Sequence, residues 1–301
     1  MSSLALVGTI AVCVIWGAGF SFMKIGLRYL PPFCLVGLRF VATAAFLAAY
    51  MRLRGLRWRI PRKAWRGMTA LIVLFFTQQS CIFLGLTFTR AGRMGVILNT
   101  QPILTAIAAH YFLTHDRLTW SKLAGMLLAI CGVGLVFRES FSVFDSRILV
   151  GDLLGLCAAA AWGTQNIVAK NVLKDVQPMT MTCWRAFVSG SGYLALSVLI
   201  DPGPVPRQPL DALFLGSFAY LVLVSTVFGF VLWMWLLKHN NPSQVASFCF
   251  ITPLASVLIA RAVLGEPITH DLWLAAPLVG LGIFLANVYG FRHVPTGEGV
   301  S

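Results

Sequence analysis

One segment of this chain occurs twice, and the two copies keep the same internal spacing. The shared residues are Trp16, Gly17, Lys24, Pro32 and Arg39 in the first copy, and Trp162, Gly163, Lys170, Pro178 and Arg185 in the second. A second alignment pairs Pro102 with Pro253, and residues 116–119 with residues 266–269. Self-similarity at a constant spacing indicates two copies of one structural unit.

Each copy consists mainly of apolar runs that are long enough to cross a bilayer as helices. Hydrophobic residues make up 58% of the chain and charged residues 11%, a balance far from that of a soluble domain. Residues 4–23, 68–89 and 272–291 carry no formal charge, and about 20 apolar residues span the hydrocarbon core. The sequence predicts an all-α integral membrane protein of ten transmembrane helices, five in each copy.

Because five crossings is an odd number, the second unit is predicted to lie inverted relative to the first. The predicted units are residues 1–143 and residues 144–292, followed by a cytoplasmic tail at residues 293–301. Inverted repeats of this kind are typical of transporters that open a central site to each side of the membrane in turn.

The net charge of +13 is concentrated in one connection and does not indicate a nucleic-acid partner. The basic residues of this connection are Arg52, Arg54, Arg57, Arg59, Arg62, Lys63 and Arg66. A short basic connection marks the cytoplasmic side, where anionic lipids attract it. The sequence therefore predicts a multi-pass protein in contact with the lipid bilayer, with both termini in the cytoplasm.

Several of these motifs resemble the drug/metabolite transporter superfamily in its EamA-type branch. The residues that carry the resemblance in the first copy are 16–20 with Lys24, 39–40, 89–92 and 101–102, and those in the second copy are 251–253 and 264–269. The first copy departs from the family's Gly-Glu pair, because residues 114–116 read Thr-His-Asp.

The resemblance implies ten helices, cytoplasmic termini and a central cavity lined by both repeats. It also implies export of small metabolites, often amino acids, across the bacterial cytoplasmic membrane. The aromatic and amide residues on the presumed cavity helices suggest the subgroup that exports aromatic amino acids. An exporter of drugs or other metabolites is the alternative, and an integral-membrane enzyme is the rival from another class.

An enzyme of this kind needs clustered acids, a nucleophile with its base, or metal ligands. The sequence offers none of these sets, so we expect a transporter of a small-molecule substrate with no catalytic residues, metal or cofactor. Strong ion coupling is not favoured either, because no Asp or Glu lies in the middle of a predicted span. We expect a monomer, with a dimer through the small residues of spans five and ten as the alternative.

The candidate cavity residues combine polar heads with aromatic rings, a mixture that suits a ligand with an apolar body and a polar end. They are Trp16, Phe20, Gln78, Gln79, Phe83, Asn99, Gln101, Trp162, Asn166, Arg185, Phe230, Trp233, Gln244 and Phe248. The alternative for each amide is a structural hydrogen bond between helices, and for each ring it is ordinary packing.

Two further pairs follow from the repeat. Arg39 and Arg185 share no span with a carboxylate, so backbone carbonyls, water or substrate are expected as their partners. Pro102 and Pro253 lack the N–H that a helix interior needs and should kink their helices. At equivalent positions in opposed repeats they are candidate hinges, and static kinks are the alternative.

Overall fold

The computed structural model describes residues 3–101, 104, 120–142, 146–201, 205–239 and 248–288, and these residues are helical apart from their connections. The helices of the first half are α1 (Ser3–Tyr29), α2 (Pro32–Leu53), α3 (Trp65–Phe88), α4 (Ala91–Leu98) and α5 (Trp120–Ser142). Those of the second half are α6 (Ser146–Val172), α7 (Pro178–Ile200), α8 (Ala212–Ala219, Tyr220–Phe228 and Gly229–His239), α9 (Ile251–Leu264) and α10 (His270–Val288).

Six of the described helices, α1, α2, α3, α6, α7 and α8, are long and apolar enough to cross a membrane. Their outer surfaces carry large apolar side chains, such as Val198 and Leu199, which are 87% and 81% exposed. Such surfaces belong in lipid. The prediction of an all-α, multi-pass membrane protein is therefore confirmed. The count of ten spans stays a prediction, because most of the second half of span four and the start of span nine lie outside the described residues.

Two helices, α2 and α7, begin at prolines that occupy equivalent positions in the two copies. Pro32 and Pro178 open α2 and α7, positions at which a missing N–H leaves no hydrogen bond unmade. The Asp201 carboxylate accepts hydrogen bonds from the first turn of α2, the shorter of them from the Cys34 N–H at 2.7 Å. This acceptor satisfies amides that the helix itself leaves unpaired, and it ties the end of α7 to the start of α2.

A second carboxylate, Asp211, caps α8 from the connection that precedes it. It accepts from the Phe214 N–H at 2.8 Å and from the Tyr29 hydroxyl at 2.8 Å. These two hydrogen bonds, the Phe214 amide first, hold the pKa of the Asp211 carboxyl below its usual range. The end of α1 is thereby joined to the start of α8.

The helices pack in pairs that join the two halves of the chain. The extended contacts are α5 with α10, α3 with α6, α2 with α7, and α1 with α9. Spans five and ten pack against each other within the chain, and small residues permit this contact. A Cβ at Gly132 would lie 2.9 Å from the Ala275 carbonyl, so a larger residue would force α5 and α10 apart.

The pairing of α1 with α9 sets the position of the repeated tryptophan. A Cβ at Gly17 would lie 2.8 Å from the Cβ of Ala255 and 3.0 Å from the Thr252 carbonyl oxygen. The backbones of α1 and α9 therefore meet directly beside Trp16. Pro253 is buried in the first turn of α9, immediately after the 3-10 turn Phe248–Phe250.

Candidate functional site

An aromatic cluster joins the first and second halves of the chain around Trp16. The Trp16 ring on α1 lies 5.5 Å from Trp162 on α6, 5.3 Å from Phe230 and 5.2 Å from Trp233 on α8. These centroid distances are those of edge-to-face or tilted aromatic contacts. The two tryptophans that the repeat relates are thus brought into direct contact.

The Trp16 indole is also fixed by a hydrogen bond to α8. Its Nε1–H donates to the Ser225 carbonyl at 3.1 Å. The segment Tyr220–Phe228 is a π-helix, and π segments inside α-helices are frequent at functional sites. Gly229 follows it directly, and a Cβ there would lie 2.8 Å from the indole nitrogen. The approach of Trp16 to this backbone therefore requires glycine at position 229.

Beside this cluster lies the buried guanidinium of Arg185, which is 2% exposed. Its Nη1 donates to Gln165 Oε1 at 2.8 Å, and Gln165 Nε2 donates to Gln78 Oε1 at 2.9 Å. Its Cζ lies 4.3 Å from the centre of the Phe75 ring and 5.0 Å from that of Phe230. The cation is thus oriented by an amide and by two aromatic rings.

Three buried polar atoms at this site have no hydrogen-bond partner among the described residues. They are Arg185 Nε, Gln79 Oε1 and Trp233 Nε1, and Gln79 and Trp233 are each 4% exposed. An unsatisfied buried polar group costs about 1–3 kcal/mol. Two free donors and one free acceptor are therefore available for a ligand that carries both an acceptor and a donor.

The side-chain amides of Asn99, Gln101 and Asn166 differ in whether they bond between helices or within one helix. Asn166 Nδ2 donates to Gln101 Oε1 at 3.0 Å, which links α6 to the segment that follows α4. Asn99 Nδ2 donates instead to the Gly95 carbonyl at 2.6 Å, within its own helical turn. Asn99 is therefore committed to local backbone in this structure, whereas Asn166 and Gln101 face one another.

The remaining predicted residues are placed as follows. Phe20 and Phe83 are buried in the apolar core that also contains Phe230. Phe248 is half-buried at the start of the turn before α9. Gln244 and Pro102 lie outside the described residues, so their assignment to the cavity and to a hinge stays a prediction. The role of Pro253 as a hinge also stays a prediction.

Arg39 differs from the sequence-based expectation in its partners. Its Nε donates to Thr226 Oγ1 at 2.9 Å and its Nη2 to Ser225 Oγ at 3.3 Å. The expected backbone, water or substrate partners were wrong for these two nitrogens, because the π segment of α8 presents hydroxyls to α2. The Arg39 guanidinium also lies 5.2 Å from the Phe40 ring centre.

A buried ion pair was also missed. Arg93 is 1% exposed and pairs with Asp152 of α6, which is fully buried. Thr89 Oγ1 donates to the same carboxylate at 2.9 Å. Asp152 is near the start of its helix, as expected, but α4 and α5 cover it. Its charge is therefore compensated within the fold.

Phe75 is a second omission from the predicted site. It lies three residues before Gln78, which places the two on neighbouring positions of one helix face. Its ring contacts Phe40 at 4.7 Å as well as Arg185. The helical spacing from Gln78 was the available signal, but a phenylalanine in an apolar span gives no other reason for its selection.

The fold is that of a multi-pass helical membrane protein, and comparisons with known proteins define the family. The model of the EamA-like transporter family matches residues 3–138 and again residues 149–288. The chain therefore belongs to the EamA-like transporter family.

Relatives with similar sequences extend over nearly the whole chain. A "Probable amino-acid metabolite efflux pump" of Salmonella typhimurium is 31% identical, over 93% of this chain and 93% of that protein. A protein of the same description from Escherichia coli (strain K12) is 30% identical over the same shares. The "Uncharacterized transporter YoaV" of Bacillus subtilis (strain 168) is 25% identical over 96% of this chain and 98% of its own length.

A solved crystal structure has the same fold. It superposes with a TM-score of 0.73, covering 97% of this chain and 99% of that chain, at 18% sequence identity. The family match and the shared fold together make the chain a membrane transporter.

Proposed function

We propose that this protein exports amino acids with aromatic or hydrophobic side chains across the bacterial cytoplasmic membrane by alternating access. The observation that carries the proposal is the position of Phe230. Its ring contacts the Trp16 indole at 5.3 Å and lies 5.0 Å from the Arg185 guanidinium. The buried cation and the aromatic cluster are therefore joined by one shared ring.

This arrangement fits the three parts of an amino acid. The free Nε–H of Arg185 is a charge-assisted donor for a carboxylate. The free Gln79 Oε1 is an acceptor for the ammonium group. The edges and faces of Trp16, Trp162 and Trp233 offer aromatic contacts for the side chain. The description of the Salmonella and Escherichia relatives as amino-acid metabolite efflux pumps points to the same substrate class.

The proposed architecture is two inverted repeats, residues 1–143 and residues 144–292, with a tail at residues 293–301. Three of the observed helix contacts support it, because α2 with α7, α4 with α9, and α5 with α10 each join spans that are equivalent in the two copies. Contacts of this kind are expected where a two-fold axis in the membrane plane relates the repeats.

The proposed orientation places both termini and the basic connection between α2 and α3 in the cytoplasm. The basic side chains of residues 52–66 are exposed, and Lys63 Nζ lies 2.5 Å from Asp175 Oδ1 in the connection between α6 and α7. These two connections therefore lie at one end of the protein. The hydrogen bond between Tyr29 and Asp211 brings the end of α1 and the start of α8 together at the opposite end of the protein. Both groupings agree with the proposed order of crossings.

Counterflow of L-tryptophan in liposomes tests the proposal, after a thermal-shift screen of the purified protein against amino acids. Trp162→Ala removes a ring from the Trp16 cluster and should slow counterflow severalfold. Trp273→Ala is the matched control, because Trp273 is 57% exposed at the start of α10 and should leave the rate unchanged.

Equal rates for the two variants would contradict the proposed site. Stabilisation by cationic drugs, with no response to any amino acid, would favour the alternative of a drug exporter. A rate that requires an imposed pH gradient would show that an ion carrier is present, contrary to the expectation from the spans.

A further inference from the structure

A cavity of about 290 Å³ lies where the ends of α1, α3 and α9 meet. It is separate from the aromatic cluster, because Lys24 in its wall follows Trp16 on α1 by eight residues, which is about 12 Å of helix. Its volume is just below the range of about 300–1,000 Å³ typical of sites for drug-sized ligands. A single small metabolite is therefore the size of ligand that fits.

The walls of this cavity contain three cations and one carboxylate, Lys24, Arg28, Arg207 and Glu266. The carboxylate is already engaged: it accepts from the Ala91 N–H at 3.0 Å, and its second oxygen faces the next amide of α4. Because three cations face a single carboxylate, the walls of the cavity keep a formal charge of +2. The cavity is therefore suited to an anionic group.

The cations keep donors available for such a group. Lys24 Nζ donates to the carbonyls of Leu86 and Thr89 at the end of α3, which leaves the third of its three donors. Arg207 donates from Nη1 to a carbonyl of α1 at 3.4 Å, which uses one of its five donors. Arg28 makes no hydrogen bond or ion pair within the described part of the chain.

The rest of the wall is mainly apolar. Leu27, Leu86 and Leu264 contribute it from three different helices. A ligand that contacts only the cations would leave this surface in water. A carboxylate attached to an apolar body would cover the leucines and would place its charge between Arg28 and Arg207.

We propose that this cavity is a second binding site for the amino-acid substrate, which is occupied on the outer side of the membrane as the substrate leaves the central site. The carboxylate lies between Arg28 and Arg207 with the remaining donor of Lys24, the ammonium group faces Glu266, and the side chain covers the leucines. This inference rests on the proposed function and orientation.

Protection of an introduced cysteine tests the site directly. Thr87 lines the cavity and is exposed, so Thr87→Cys should react with a membrane-impermeant maleimide added outside liposomes. External L-phenylalanine and 3-phenylpropionate should slow this reaction, whereas phenethylamine, which lacks the carboxylate, should not. Leu264→Cys on α9, which also lines the cavity, provides a second reporter if the first variant folds poorly.

Arg28→Gln combined with Arg207→Gln should raise the concentration of 3-phenylpropionate that gives half-protection by about tenfold or more. Arg138→Gln is the matched control, because Arg138 is exposed, pairs with Asp271 and does not line the cavity. Equal protection by glycerol 3-phosphate would mean that any anionic head group is accepted, and it would overturn the proposal. Absence of protection at both cysteines would overturn it as well.

Failure of this proposal can be told apart from failure of the proposed function. Arg185→Gln should impair counterflow and leave protection by 3-phenylpropionate unchanged, since the two sites are separate. Protection without amino-acid counterflow would support a carboxylate site and refute amino-acid export. Counterflow without protection would support amino-acid export and refute the carboxylate site.

Discussion

Replacement of Arg185 by glutamine should weaken the binding of amino acids that carry a free carboxylate. The guanidinium is 2% exposed and is held by Gln165 at 2.8 Å and by the rings of Phe75 and Phe230. Its Nε has no partner among the described residues. Glutamine removes the charge and this donor while it keeps a polar side chain.

The expected rise in Kd follows from the loss of one hydrogen bond, which Arg185 Nε would donate to the substrate carboxylate. A hydrogen bond to a charged group contributes about 1.5–3 kcal/mol. Because each 1.4 kcal/mol changes Kd about tenfold, the loss corresponds to a rise in Kd of about 10- to 150-fold. The two ring contacts are made to the protein itself, so they affect the position of the cation more than the contact with substrate.

The assay compares L-phenylalanine with L-phenylalaninamide, which lacks the negative charge, by half-saturation of counterflow in liposomes. Arg185→Gln should raise the half-saturating concentration of the acid and leave that of the amide nearly unchanged. Arg185→Lys keeps the positive charge but lacks the planar guanidinium. Its half-saturating concentration for the acid should lie between that of the unaltered protein and that of Arg185→Gln. An equal shift for acid and amide would refute the assignment of Arg185 to the carboxylate.

Three further variants test the fold that positions the site. Gly229→Ala places a Cβ 2.8 Å from the indole nitrogen and should lower stability in detergent by about 1–3 kcal/mol, whereas Gly216→Ala, with open space around it, should not lower it. Asp152→Asn removes the carboxylate charge that faces the buried Arg93 and should destabilise the protein by about 3–5 kcal/mol in a denaturant titration; an unchanged midpoint would contradict the buried pair. The Asp211 carboxyl has a pKa depressed by the amide it caps, so its contribution is present above about pH 4 and is lost as the pH falls through its folded-state pKa. Asp211→Asn should flatten the dependence of Tm on pH between 6 and 3, and an unaltered slope would count against this cap.

The repeated positions were the part of the site that the sequence could predict. Trp16 and Trp162 stand at equivalent places in two copies, and the structure brings them into contact. The start of α2 at Pro32 was also predictable, because the fixed φ of proline suits the first turn of a helix. These predictions needed only local geometry and the repeat.

Contacts between helices could not be predicted in the same way. Arg93 and Asp152 are partners because α4 and α6 pack at one particular register, and spacing along the chain does not encode that register. The hydroxyl partners of Arg39 depend on the π segment of α8, which lies inside a long span without formal charge. Local propensity does not distinguish that segment from a regular helix, since the tertiary contacts decide it.

The π segment has a consequence for the symmetry of the molecule. Span three, its counterpart in the first copy, is the uninterrupted α-helix Trp65–Phe88. A π segment takes more residues per turn than an α-helix, so it rotates every side chain that follows it, including Phe230 and Trp233, about the axis of α8. The side chains of α8 therefore cannot take the positions of the equivalent side chains of α3 unless the helical register changes. Under the proposed alternating access, we therefore expect the conformations that open toward opposite faces to differ in free energy, with the resting population biased toward one face before any substrate binds.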